Sequence, residues 1–459
     1  MVDAAPGRPK DPLARGRART LFVLWVTYGS FYFCRANFGP ARLSMLRDLG
    51  MSAVEFGLLA GSVKLGYALG QLVNGQLTER FGARRILSIG MIGSSAATLL
   101  IAAAPALAGV PLLGAVALAL AGAVHALGRS VGVDTGVSGT LGMMILLSFA
   151  NGWFQAGGWP PVVKMAARWF PVEHRGRTMG ILGTSYTVGS AVAIFGVGAL
   201  LDATGGAWRI AFVVPAALLL ASFVHTTLRL REHPPEVADR ARQPAPERLP
   251  IAEALRATLG NPRIWILALG LFGLDAVRYG FLDWAPGHLA EIHHTGALSA
   301  ALKTAVFPLA GALGALSSGW ITDRFFQSRR APVCAMLLGG VGALTLTYRV
   351  VVGLGVVPTV VCLGLVGFCL YGAQILLVGT AAQDFARRGA TAAAAGFVDF
   401  TGHVGAFSGD VVTGWMLKRH GWAGAIAWWA GAAFVAALLV ATLWRARPGD
   451  REGSSTAIA

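Results

Sequence analysis

The chain has 459 residues, 55% of them hydrophobic and only 13% charged, about half the charged fraction of a soluble domain. That balance excludes a soluble enzyme and a soluble nucleic-acid-binding protein, in spite of a net charge of +16. The expected surroundings are a lipid bilayer, and no nucleic acid is expected as a partner.

Residues 1–19 are a polar, basic tail with neither a secretory signal nor a cleavage site after the first apolar run. Stretches of bilayer-spanning length follow near residues 20–43, 53–78, 85–104, 141–168, 177–201, 208–230, 263–289, 300–321, 331–351, 357–384, 390–416 and 422–445. The reading is an all-α membrane protein with twelve transmembrane helices in two pseudo-symmetric six-helix bundles. The first bundle occupies 20–230 and the second 263–445. Between them, 231–262 carries His233-Pro234-Pro235 and Arg242-Gln243-Pro244-Ala245-Pro246, the composition of a linker. Residues 446–459 form a second tail. Most of the 38 Lys and Arg fall in the tails and in the loops after even-numbered spans, which places both termini in the cytoplasm. Cys34, Cys334, Cys362 and Cys369 show no metal or disulfide spacing. No metal and no cofactor is expected.

The two bundles are duplicates. Gly75-Gln76-Leu77-Thr78-Glu79-Arg80 is matched 244 residues later by Gly319-Trp320-Ile321-Thr322-Asp323-Arg324. Arg175-Gly176-Arg177-Thr178 is matched 213 residues later by Arg388-Gly389-Ala390-Thr391. The first half therefore holds 31 additional residues, the difference between those offsets, and 107–140 is the obvious place. One further crossing there would reverse the charge asymmetry, so a hairpin or surface-lying helix on the outward side is expected, with a pair of extra spans as the alternative.

Five cations, Arg35, Lys64, Lys164, Arg278 and Lys303, lie inside apolar stretches. An arginine at bilayer depth costs about 2.5–3.5 kcal/mol on insertion scales, so it persists where it has something to bind. Arg35 and Arg278 stand at repeat-related positions, 243 residues apart. Tyr28, Tyr32 and Arg35 are spaced four and three apart and share a helical face. The planar guanidinium fork matches phosphate oxygens, so the two arginines read as an anion site at the interface of the halves. Asp275 lies one turn from Arg278 and is in reach of it. Two bare cations about 10 Å apart repel by roughly 1.7 kcal/mol at an effective dielectric of 20, which would disfavour closure of an empty site. Lys64 is either a cation for that site or a snorkelling helix-end residue. Asp399 and His403 share a face, and an intramembrane acid is a functional candidate. Asp283 reads as structural. The Gly75–Arg80 and Asp323-Arg324 loops read as conformational latches. No phosphate-cradling Gly-x-x-x-x-Gly-Lys string occurs, so pumping driven by ATP has no support.

Several strings carry a family resemblance. They are Tyr32-Phe33-Cys34-Arg35-Ala36-Asn37-Phe38, Asn151-Gly152-Trp153-Phe154-Gln155-Ala156-Gly157-Gly158-Trp159-Pro160-Pro161, Arg278-Tyr279-Gly280-Phe281-Leu282-Asp283-Trp284-Ala285-Pro286 and Leu370-Tyr371-Gly372. With the duplicated glycine-acid-arginine loop, the chain resembles the major facilitator superfamily. Within it, the chain is similar to the organophosphate:phosphate antiporter family of glycerol-3-phosphate and hexose-phosphate carriers. The resemblance implies that Arg35 and Arg278 grip phosphate and that Tyr28, Tyr32, Tyr67, Trp159 and Tyr371 line the cavity. Ala36, Gln71 and Tyr186 stand where the glycerol-phosphate pattern has two lysines and a histidine. The expected function is exchange of an organic phosphate, such as a sugar or glycerol phosphate, for inorganic phosphate. The expected setting is a monomer in a bacterial inner membrane. The alternatives are a proton-coupled organic-anion symporter using Asp399 or His403, and a transporter-like sensor of sugar phosphate. If Asp275 and Asp399 both face the site, sugar- or amino-phosphates should be preferred over carboxylated ones such as phosphoenolpyruvate.

Overall fold

A computed structural model describes residues 14–130, 132–170, 172–232, 251–327, 329–381, 385 and 390–446. The linker strings from His233 to Pro246 and the Arg388-Gly389 pair lie outside the described residues, as do the side chains of Arg175 and Arg177. In bilayer every backbone polar group needs an internal partner, so the apolar runs become helices.

The first half comprises α1 (Ala14–Phe31), α2 (Phe38–Leu49), α3 (Ala53–Phe81), α4 (Ala83–Ala102), α5 (Ala104–Ala108), α6 (Pro111–Ser130), α7 (Gly139–Gln155), α8 (Trp159–Trp169), α9 (Val172–Ala203) and α10 (Ile210–Arg229). The second comprises α11 (Ile251–Leu259), α12 (Pro262–Tyr279), α13 (Ala285–His293), α14 (Ala297–Phe325), α15 (Arg330–Val351), α16 (Val356–Ile375) and α17 (Thr391–Ala441). Twelve crossings result, because α1 with α2, α7 with α8 and α12 with α13 each make one interrupted crossing. α17 makes two, reversing at Gly421, whose φ of 62° and ψ of −167° lie outside the helical region. Only glycine enters that backbone region without strain. The end of the linker differs from the sequence expectation: it forms α11, which packs against α17.

The breaks are where sequence and structure part most clearly. Residues 20–43, 141–168 and 263–289 read as uninterrupted spans, yet each is broken near mid-depth. After Phe31 the chain tightens into a 3-10 turn, Tyr32–Cys34. At Gly157-Gly158 the ladder gives way to short i→i−3 bonds of 3.1 and 2.9 Å, because Pro160 and Pro161 have no N–H to continue it. Gly280–Trp284 is a π turn ahead of Pro286, where a proline again removes a ladder donor.

Residues 103–138 fill the place that 352–355 occupy in the second half. α6 is apolar nearly all round and only 11% of its apolar window is buried within the protein. It starts beside α7, with a Cβ at Gly142 overlapping the Ala117 carbonyl. It finishes beside its own return loop, where His125 Nδ1 lies 2.6 Å from the Thr135 carbonyl and Gly136 N–H donates to Glu55 at 2.7 Å. Glu55 opens α3 through a reciprocal cap with Ser52. Both ends of α6 thus sit at the same end of the bundle, so α6 lies across it.

The halves meet along α3 and α17 in an antiparallel seam. Cβ atoms at Gly57 and Gly61 would overlap Asp410 and Phe407, and one at Gly414 would overlap Ala53. Further along, Tyr67 stacks on His403 at 4.4 Å and Gln71 donates to Asp399 at 3.2 Å. Between α9 and α14, Asp202 accepts the N–H groups of Ala297 and Leu298 at 2.8 and 3.1 Å, capping a helix start from the opposite half. Arg42 on α2 pairs with Glu291 on α13 at 3.1 Å. All these contacts lie at mid-depth or toward the end away from the termini. Toward the termini, Gly75, Gly180, Gly183, Gly319 and Gly396 have no Cβ neighbour within 4 Å among the described residues. Among the described residues the bundle is sealed at one end and parted at the other.

Candidate functional site

The breaks set the two arginines. Arg35 follows the 3-10 turn of the first crossing, and Arg278 sits one residue before the end of α12. Both are buried, at 5% and 2% exposure. Arg35 Nε donates to Gln155 Oε1 at 2.7 Å and Nη1 to the Tyr32 hydroxyl at 3.2 Å. Its guanidinium lies over the rings of Tyr67 at 4.2 Å and Tyr32 at 4.7 Å. Gln155 is itself braced, donating to the Cys34 carbonyl and to Asn151. Arg278 pairs with Asp275 at 3.4 Å and lies over Tyr279, Tyr371 and Tyr186 at 4.9, 5.2 and 5.9 Å.

The tyrosines connect the two arginines. Tyr32 faces Tyr186 at 5.9 Å, and Tyr186 faces Tyr371 at 5.9 Å. Tyr28 packs on Trp159 at 4.7 Å and on Tyr32 at 6.0 Å. Six of the seven tyrosines in the chain belong to this cluster, which gathers ring faces for the guanidiniums and hydroxyl donors for an anion. Asp399, His403 and Gln71 close one side: the Asp399 carboxylate is 3.7 Å from His403, and Gln71 also donates to the Tyr67 hydroxyl at 2.9 Å. Buried atoms without a hydrogen-bond partner among the described residues include Arg35 Nη2, Arg278 Nε and Asp275 Oδ2. Such groups are costly unless something supplies the missing bond.

Most of the expected residues therefore converge: Tyr28, Tyr32, Arg35, Tyr67, Gln71, Trp159, Tyr186, Arg278, Tyr371, Asp399 and His403. Lys64 needs a correction. It neither snorkels outward nor adds a free cation to the cluster. Its ammonium is ion-paired to Asp283 and, at 3.0 Å, to Asp410, and it lies over Tyr279 at 4.8 Å. All three charged side chains are at most 3% exposed, and Trp284 Nε1 donates to Asp410 at 3.0 Å. Lys64 comes from the first half and both acids from the second, so the triad joins the halves above the arginine cluster. A second correction concerns electrostatics: the empty site is not two bare cations, because Asp275 already accompanies Arg278.

The latch residues make contacts within each half. Glu79 pairs with Lys164 at 3.1 Å and Asp323 with Arg330 at 2.9 Å. Arg80 lies over Phe81 at 5.3 Å, Arg324 is exposed and Gly75 is open on its Cβ side. Sequence reasoning passed over Gln155, Tyr279 and Asp410 as site residues. The first two sit inside the strings quoted for the resemblance; Asp410 was discoverable as a second intramembrane acid in the same apolar run as Asp399.

Two six-helix halves, sealed at one end and parted at the other around repeat-related arginines at mid-depth, define a multi-pass membrane transporter of the two-bundle class. The chain belongs to the Major Facilitator Superfamily, whose family model matches residues 24–134 and 131–410. It is 26% identical to the glycerol-3-phosphate transporter of Bacillus subtilis, over 94% of this chain and 93% of that protein. It is also 26% identical to the membrane sensor protein UhpC of Salmonella typhimurium, over 92% and 90%. These relatives bear out the resemblance to the organophosphate:phosphate antiporter family. A bacterial homologue of the human lysosomal transporter Spinster, solved in an inward-facing, occupied conformation, shares the fold with a TM-score of 0.67 at 18% identity, over 97% of this chain and all of that one.

Proposed function

We propose that the protein exchanges an organic phosphate for inorganic phosphate by alternating access, in a bacterial inner membrane with both termini in the cytoplasm. The observation that carries this reading is the pair of buried arginines, one from each half, each with an N–H group that has no partner among the described residues. A phosphate between them supplies acceptors to both guanidiniums at once, in the paired geometry that arginine favours. It thereby ties the halves together across mid-depth, where either half alone holds only one fork. The parted end then faces the cytoplasm, and the sealed end must open for uptake. The Glu79 and Asp323 ion pairs stiffen each half so that it moves as a unit. Arg35 is met by neutral partners alone among the described residues, so a loaded site gains more from closing than an empty one. That asymmetry favours exchange over one-way flow.

The test is uptake of labelled phosphate into proteoliposomes, with and without unlabelled phosphate inside. Uptake that depends on internal phosphate supports exchange. Uptake into empty vesicles that follows an imposed proton gradient would instead support symport through Asp399 or His403. Saturable phosphate binding with no flux under either condition would favour a sensing role, such as the name of the Salmonella relative carries.

A further inference from the structure

We propose that the organic substrate is a phosphate ester or phosphonate that also carries an ammonium group, held by Asp275 and Asp399. This rests on the phosphate reading above and goes one step further, to the other end of the molecule. The cluster holds two arginines and two carboxylates, one of which, Asp275, is 1% exposed with an Oδ2 that has no hydrogen-bond partner among the described residues. Among the described residues it is ion-paired with Arg278 alone, through a single contact of 3.4 Å. When a phosphate engages Arg278, Asp275 loses the charge that compensates it, and a buried carboxylate without a cation is costly. A substrate ammonium restores the balance: its phosphate takes the guanidinium and its nitrogen takes the carboxylate.

Geometry favours the same exchange of partners. Asp275 Oδ2 lies against Gly402, where an added Cβ would be 2.8 Å away. Gly402 is within one helical turn of Asp399, whose carboxylate receives one amide hydrogen from Gln71. The acids of α12 and α17 thus border one corner of the cluster. Around them stand Tyr279 and His403, with ring centres 6.4 Å apart, and Tyr67 stacked on His403. An ammonium brings three donors, enough to serve both acids, and the tyrosine faces attract a cation. A hydroxyl brings one donor and no charge, and a second carboxylate would be repelled by both acids.

The experiment is competition against labelled phosphate exchange in proteoliposomes by O-phosphoethanolamine, glycerol phosphate and phosphoglycolate, which offer an ammonium, hydroxyls and a carboxylate. The proposal expects the amine to inhibit at concentrations about tenfold or more below the carboxylate, the size of one buried charged contact. In Asp275→Asn and Asp399→Asn variants the ratio of the two inhibition constants should fall toward one. That ratio is independent of expression level. Working phosphate exchange in which the carboxylate equals or beats the amine overturns this inference and leaves the phosphate reading standing. A ratio unchanged in both variants overturns the role of the acids. Absence of any phosphate exchange or binding overturns the phosphate reading itself.

Discussion

At the scale of single residues, what matters is how each arginine is held. Arg35 is aimed by Gln155, which orients the Nε edge and leaves Nη2 without a partner among the described residues. Replacing Gln155 by Leu strands a buried N–H, and hydrogen bonds to charged groups are worth about 1.5–3 kcal/mol. The KM for phosphate should therefore rise about tenfold or more at matched expression; an unchanged KM would show that Gln155 does not position Arg35. Both arginines were legible in the sequence because duplication puts an expensive residue at the same place twice. Lys64 was not. Its partner Asp283 is 219 residues away, and no periodicity along one helix reveals what the facing half presents. Asp275 was legible as a neighbour of Arg278, since three residues along a helix is a contact distance.

At the scale of elements, the α3–α17 seam and the Lys64 triad hold one end shut. Removing one partner of a buried ion pair costs about 3–5 kcal/mol, because the others stay behind uncompensated. Lys64→Met should therefore open the sealed end. In a background lacking the four native cysteines, a cysteine at Ala60, which is fully buried, should react with a membrane-impermeant maleimide much faster in the Lys64→Met protein. Equal rates would mean that the triad does not seal the seam. The broken crossings at Tyr32–Cys34, Gly157-Gly158 and Gly280–Trp284 escaped a hydropathy reading, since apolar content continues through each break. Pro160, Pro161 and Pro286 were the available signals, and they mark missing ladder donors rather than missing apolarity.

At the scale of the whole molecule, twelve crossings and two halves were readable from apolar length and repeat offsets, whereas the conformation was not. The parting of the halves toward the termini is a property of contacts among helices far apart in sequence. The additional segment should leave the crossing count even. A cysteine at Val133 should then label from outside the cell, and one at Gln327 only after permeabilisation; labelling of both from outside would overturn the topology. The central claim, a phosphate site shared by two arginines from opposite halves, is tested most directly by phosphate exchange in Arg35→Lys and Arg278→Lys proteins at matched reconstitution. Lysine keeps the charge and loses the two-pronged fork. Exchange should fall at least about tenfold in each variant, the loss of one charge-assisted bond or more; near-normal exchange in either one would contradict a site shared by the two arginines.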